Sequence, residues 1–128
     1  MKIDQHIKAY EEYMKNVKEI SMTRGLLESQ RTIGLSASRG IVELLSAYLH
    51  SIQKLDAGAQ LNHRWFKSDR IVDKLPDFPG KKEILKEMIL LENLSEDLTY
   101  GTEKDISAIV KTVELFNKLE KKLLGLIK

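Results

Sequence analysis

The residues best suited to chemistry fall in two stretches. The first is NHRWFKSDRIVDK, residues 62–74, where His63, Arg64, Lys67, Arg70 and Lys74 surround the chain's single tryptophan, Trp65, and the adjacent Phe66. Arginine and lysine hold phosphate oxygens and an exposed ring stacks on a base, so this stretch carries an RNA- or nucleotide-binding hypothesis. Asp69 and Asp73 dilute its charge, and the plainer expectation is that Trp65, Phe66 and Ile71 plug a core while the charges face water. The second stretch is ENLSEDLTYGTEKD, residues 92–105. Glu92 and Glu96 share a helix face there, close to Asp97, Glu103 and Asp105, and grouped carboxylates are the ligands of a hard cation. Acidic residues beside a helix join serve more often as solvated surface or as caps, and that is the expectation for these.

Other chemistries are set aside on spacing. His6, His50 and His63 show none of the separations of a zinc or di-iron site, so no metal ligand set is expected. The chain has no cysteine, which removes disulfides, thiolate ligands and a cysteine nucleophile. No phosphate-cradling glycine loop or nucleophile elbow occurs, and neither a cofactor nor a catalytic residue is assigned.

These residues must be positioned by helices. The chain of 128 residues is 42% hydrophobic and 31% charged, with only 7 Gly and 2 Pro. That balance suits one well-packed helical domain, which at this size buries roughly two-thirds of its unfolded surface. A net charge of +2 is too small to mark a nucleic-acid binder by itself, so any basic patch must be local. Residues 1–20 are too rich in Lys and Glu for a secretory signal, and no apolar run approaches the ~20 residues of a membrane span. The default expectation is a cytoplasmic protein.

Along the chain, Ile3, Ile7, Tyr10, Met14 and Val17 recur at helical spacing and predict an amphipathic helix ending near Ser21, with Thr23 as a cap for the next segment. Residues 24–33 are helix-compatible but short, with Gly25 and Gly34 at their ends. The small-residue cluster Gly34 to Gly40 predicts a tight helix crossing. It leads into a central helix whose apolar face carries Ile41, Leu44, Leu45, Tyr48, Ile52 and Leu55. The opposite face carries Arg39, Glu43, Ser46, His50 and Gln53, with His50 expected to be solvated. Residues 56–61 read as a loop, and Asn62 as the N-cap of a short helix over 63–75. Pro76, Pro79 and Gly80 break that helix, and the next starts near Pro79 or Gly80. It ends at Gly101, with Thr102 and Asp105 as a capping box for the last helix. That helix carries Ile106, Ile109, Val113, Phe116, Leu119, Leu123 and Ile127. Nothing reads as a strand, and the expected fold is an all-α, up-and-down bundle of about five helices in a single domain.

Taken in order, SASRGIVELLSAYL, AGAQLNHRWFKS, LTYG and TEKDISAIVKTVELFNKLEKKLL resemble the HEPN superfamily, helical bundle proteins found beside minimal nucleotidyltransferases in prokaryotes. The resemblance covers roughly residues 35–124. Ribonuclease members of that superfamily carry an Arg, about four to six residues and then a His, often followed by a residue and a Tyr, and those groups act on the RNA phosphodiester. Setting Tyr100 on the motif's Tyr puts Leu98 at the His position and Asn93 at the Arg position. Neither can do the motif's work, since Leu98 moves no proton and Asn93 carries no charge. The resemblance therefore implies a non-catalytic member that acts by binding, with a nucleotidyltransferase, RNA or a nucleotide as partner in a toxin–antitoxin-like system. It also implies a homodimer, which sedimentation tests. In related pairs the retained Tyr is nucleotidylated by the partner, whereas the residues alone favour Tyr100 packed beside its glycine cap. The candidate binding residues are His63, Arg64, Lys67, Arg70 and Tyr100. The rival reading is a ribonuclease of the same class that uses non-standard residues, with His50 or His63 as the proton shuttle.

Overall fold

Regular spacing of apolar residues at three and four positions gives long helices, and their packing orders the chain. The structure, a computed structural model, describes residues 2–56 and 59–127, and of Ile20 and Ser21 only the backbone. Helix α1 (Ile3–Lys15) passes through a π-helical turn (Asn16–Ile20) into α2 (Ser21–Arg24), forming one rod. Then come α3 (Gln30–Ser51), a 3-10 turn (His63–Lys67), α4 (Arg70–Lys74), α5 (Lys81–Tyr100) and α6 (Ile106–Ile127). With the first rod counted once, the described residues form five helices and no strand, the all-α bundle expected. No helix among them is long and apolar enough to cross a membrane.

Helix α3 is the axis. Residues all round its circumference are buried, from Ile33 and Ala37 to Leu44, Leu45 and Leu49. Ser36 pairs with Asn16 while Glu43 pairs with His6, so α3 descends as α1 rises. Gly34 lies against Leu98 while Ser38 meets Glu92, which sets α5 antiparallel to α3. Phe66, Ile71, Leu85, Met88, Phe116 and Leu119 complete the main core, each at most 2% exposed. Full burial of one such side chain is worth about 2–3 kcal/mol. Ile33, Leu98 and Ile109 form a smaller cluster beneath the α5–α6 join.

The small-residue cluster does mark a tight crossing. A Cβ at Gly34 would lie 2.7–2.8 Å from Thr99 Oγ1, Leu98 Cβ and the Ser95 carbonyl, so glycine lets α3 and α5 touch backbone to side chain. At Gly40 a Cβ would lie 3.0 Å from Tyr13 Cβ and 3.3 Å from the Phe116 ring.

Several boundaries differ from expectation. Gly34 lies inside α3 rather than at a helix end; Gly25, at φ +91°, is where the first rod stops. Thr23 does not cap a following helix, because its hydroxyl donates back to the Glu19 carbonyl. Helix α3 stops at Ser51, short of Leu55. The single helix expected over 63–75 is two pieces, broken at Ser68 and Asp69. Ala57 and Gly58 of the expected loop lie outside the described residues. Helix α6 starts at Ile106, which puts Thr102 too early to cap it. Ile106 itself is 51% exposed rather than part of the apolar stripe.

The burial of His50 is a further correction, and its cause is a neighbouring helix covering a face that reads as polar. The His50 ring stacks on His6 at 4.9 Å, because α1 lies over that face of α3. His6 Nδ1 is 2.7 Å from Glu43 Oε2, which ties α1 to the same surface.

Candidate functional site

Tight contact at Gly34 fixes one end of the α3–α5 pair, and further along the 3-10 turn lies across the two helices. Asn62 starts that turn by accepting a hydrogen bond from the Arg64 amide on its side-chain oxygen, at 2.9 Å, as the cap expectation required. Phe66 anchors the turn, fully buried, while Trp65 beside it stays 47% exposed. The expected hydrophobic plug is thus Phe66 and Ile71 without Trp65.

Where the three elements meet there is a cleft. Helix α3 supplies Leu35, Ser38 and Arg39; the turn supplies His63, Arg64 and Lys67; α5 supplies Glu92, Ser95, Glu96, Thr99 and Tyr100. Its volume is about 40 Å³, room for a few waters.

Glu92 forms the floor and is only 3% exposed, which corrects the expectation of a solvated surface carboxylate. Ser38 Oγ donates to its Oε1 at 2.6 Å, and His63 Nδ1 lies 3.0 Å from Oε1 and 3.2 Å from Oε2. An ionised carboxylate only accepts, so Nδ1 carries the proton and Nε2 is the ring atom left for a ligand. Ser38 is not arranged as a nucleophile, because its hydroxyl is committed to Glu92 rather than to the imidazole.

Positive charge rims the cleft. Lys67 Nζ pairs with Glu96 Oε2 at 2.8 Å, which half-neutralises both. Arg39 spends one nitrogen on the Leu35 carbonyl at 3.1 Å, and its other donors have no partner among the described residues. Arg64 has no side-chain partner among the described residues. Beside these cations Ser95 lines the cleft, and its Oγ is buried with no hydrogen-bond partner among the described residues. A buried hydroxyl left unpaired costs about 1–3 kcal/mol.

Compared with protein-family models, curated proteins and solved structures, the chain matches none.

Of the five residues proposed from sequence, four meet here: His63, Arg64, Lys67 and Tyr100. Arg70 does not; it begins α4 and borders a separate depression with Asp69, Asp73 and Lys86. Tyr100 is 72% exposed, so the expectation that it packs beside its glycine is overturned. Ser38, Arg39 and Ser95 are additions that sequence reading missed, and Glu92, expected there as solvated surface or a cap, joins them. The signal for them was the antiparallel register that the Gly34 crossing imposes, which brings Ser38 opposite Glu92.

The join at residues 92–105 is built for closure. Gln30 Nε2 donates to the carbonyls of Leu98 and Thr102 at 3.2 and 3.1 Å, and its Oε1 accepts from the Lys104 amide at 2.8 Å. Arg31 donates to the carbonyls of Thr99 and Gly101 at 2.7 and 3.3 Å. The first turn of α3 thereby satisfies the carbonyls that end α5. Leu98 is buried, and Asn93 Nδ2 donates to the Ile89 carbonyl at 2.9 Å. With Glu92 bound to His63 and Glu96 to Lys67, the acidic residues are not pooled, and no group of three His, Asp or Glu among the described residues is arranged to hold a metal.

Proposed function

We propose that this chain is a HEPN-like, non-catalytic helical domain that binds RNA or a nucleotide by its phosphate, in the cleft between α3, the 3-10 turn and α5. The observation that carries the reading is the gathering of Arg39, Arg64, Lys67 and His63 around one small cleft. Cations with free donors attract phosphate. Retention of RNA should weaken linearly in log salt. In the Arg64→Ala, Lys67→Ala double variant the slope should fall by about 1 for each phosphate no longer neutralised. Equal retention and equal slope in the variant and the parent would remove the cleft from RNA binding.

The His63–Glu92 pair favours a second reading, RNA cleavage with His63 as the proton shuttle. A carboxylate on Nδ1 fixes the tautomer and aims Nε2, the arrangement a general base needs. The same RNA incubations decide between the two. Cleavage that disappears in His63→Ala establishes the enzyme; intact RNA, retained by the cleft, leaves the binding domain.

A further inference from the structure

The cleft does not end at His63. A second concave surface, bordered by Tyr13, Gln60, Trp65 and the His6-paired Glu43, lies beside it, and Arg39, His63 and Arg64 line both. The two depressions therefore adjoin across these three residues, a groove-like surface with positive charge in the middle. An aromatic ring stands in each half: Tyr100 in the first, 72% exposed, and Trp65 in the second, 47% exposed.

The exposure of both rings is informative. Within a single 3-10 turn the chain buries Phe66 completely and leaves the larger Trp65 outside, so burial was available to this segment and Trp65 did not take it. Tyr100 closes α5 next to a buried cluster of Ile33, Leu98 and Ile109, yet its ring stays out of it. Helical side chains lean toward the N-terminus, so Tyr100 reaches back along α5 toward the cleft it lines.

Ring, cations, ring is the pattern of an unpaired nucleic-acid strand, in which planar bases alternate with anionic links. A duplex does not fit it, because paired and stacked bases offer no free face. A single nucleotide leaves one ring unused. We infer that the groove binds a short single-stranded RNA segment, with one base on Tyr100, another on Trp65 and the intervening phosphates on Arg39 and Arg64. This rests on the phosphate-binding reading above and adds the strandedness of the ligand and the two residues that select it. The contribution of each stacked base by alanine substitution is large enough to read as a change in affinity of about tenfold or more.

Trp65 is the only tryptophan in the chain, so its emission reports on one end of the groove directly. The full chain is titrated with a single-stranded RNA of about eight nucleotides, with the same sequence as a duplex, and with AMP. The strand is expected to change Trp65 emission and to bind about tenfold or more tightly than either the duplex or AMP. Tyr100→Ala and Trp65→Ala should each weaken strand binding by about tenfold, while Tyr100→Phe keeps it. Both positions are exposed, and an unchanged helical circular dichroism spectrum shows that the variants fold. The inference is overturned by a retained strand that leaves Trp65 emission unaltered, by ring variants that bind like the parent, or by equal binding of duplex or AMP. A chain that retains no RNA in any form overturns the phosphate-binding reading along with it.

Discussion

Glu92 shows how one buried side chain organises the site. Its carboxylate lies at the cleft floor and accepts from Ser38 and from His63, partners that belong to α3 and to the 3-10 turn. Removing it strands two donors at once, and each loses a hydrogen bond worth about 1 kcal/mol or more where water does not replace it. Glu92→Ala should therefore lower unfolding free energy by about 1–3 kcal/mol in a denaturant titration, whereas Glu92→Gln, which keeps one acceptor oxygen, should cost less. Alanine and glutamine variants as stable as the parent would show that neither hydrogen bond contributes. The residue types of the site are readable from the sequence, since His63, Arg64, Lys67 and Tyr100 all line it. Their surroundings are not. Glu92, His50 and Tyr100 each differ in burial from what their helical patterns suggest, because periodicity along one helix does not reveal which neighbour lies across it. His50 is covered by α1, Glu92 by the turn, and Tyr100 by nothing in its own bundle.

At the scale of the element, the crossing of α3 and α5 decides where the cleft can be. Glycine inside a helix costs about 1 kcal/mol relative to alanine, so Gly34 is retained against its own helix propensity. Its neighbours explain why: a methyl there would meet the Ser95 carbonyl and Leu98 Cβ at 2.8 Å, and a backbone carbonyl does not swing aside. Gly34→Ala should destabilise the bundle by about 1–3 kcal/mol and splay the Ser38–Glu92 contact one turn away. Gly125 is the internal control. It sits in α6, and a methyl added there would meet nothing within 4 Å, so Gly125→Ala should stabilise by about 0.5–1 kcal/mol. Opposite signs in thermal unfolding are the expected result; equal signs would mean that propensity rather than packing governs Gly34. The crossing is legible from the GLSASRG cluster, and so is the PDFPG break. The 3-10 turn is not: Asn62 signals a helix start, but the stop at Ser68 and Asp69 carries no proline or glycine.

Across the whole molecule, the last helix is fastened to the others by carboxylates, in two separate places. Glu120 of α6 is buried and accepts from the Tyr10 hydroxyl and from Lys18, joining the final helix to the first rod. Burial, with the Glu120 hydrogen bond and charge added to it, pushes the Tyr10 phenol well above its ordinary range. Elsewhere along α6, Lys118 and Lys122 reach Glu87 of α5. Burial alone would raise the Glu87 carboxyl, but the hydrogen bonds from the two lysines outweigh it and hold the group below its usual value. A carboxylate depressed in the folded state contributes stability above its unfolded pKa and loses it as pH falls through the folded pKa. Lys122 is raised, chiefly by its hydrogen bonds to Glu83 and Glu87, so its own contribution persists through neutral pH and is lost only in strong alkali. Because Lys118 and Glu83 are well exposed, solvent screens the network, and its worth is about 1 kcal/mol. For a chain of this size, Glu87→Gln should then lower the Tm by about 3–5 °C at neutral pH. The difference from the parent should shrink steadily as the pH is taken below the carboxylate range, since acid removes from the parent what the substitution has already removed from the variant. Melting curves of the two proteins across that range test this, and a gap that stays constant into acid would assign the loss to packing instead of charge.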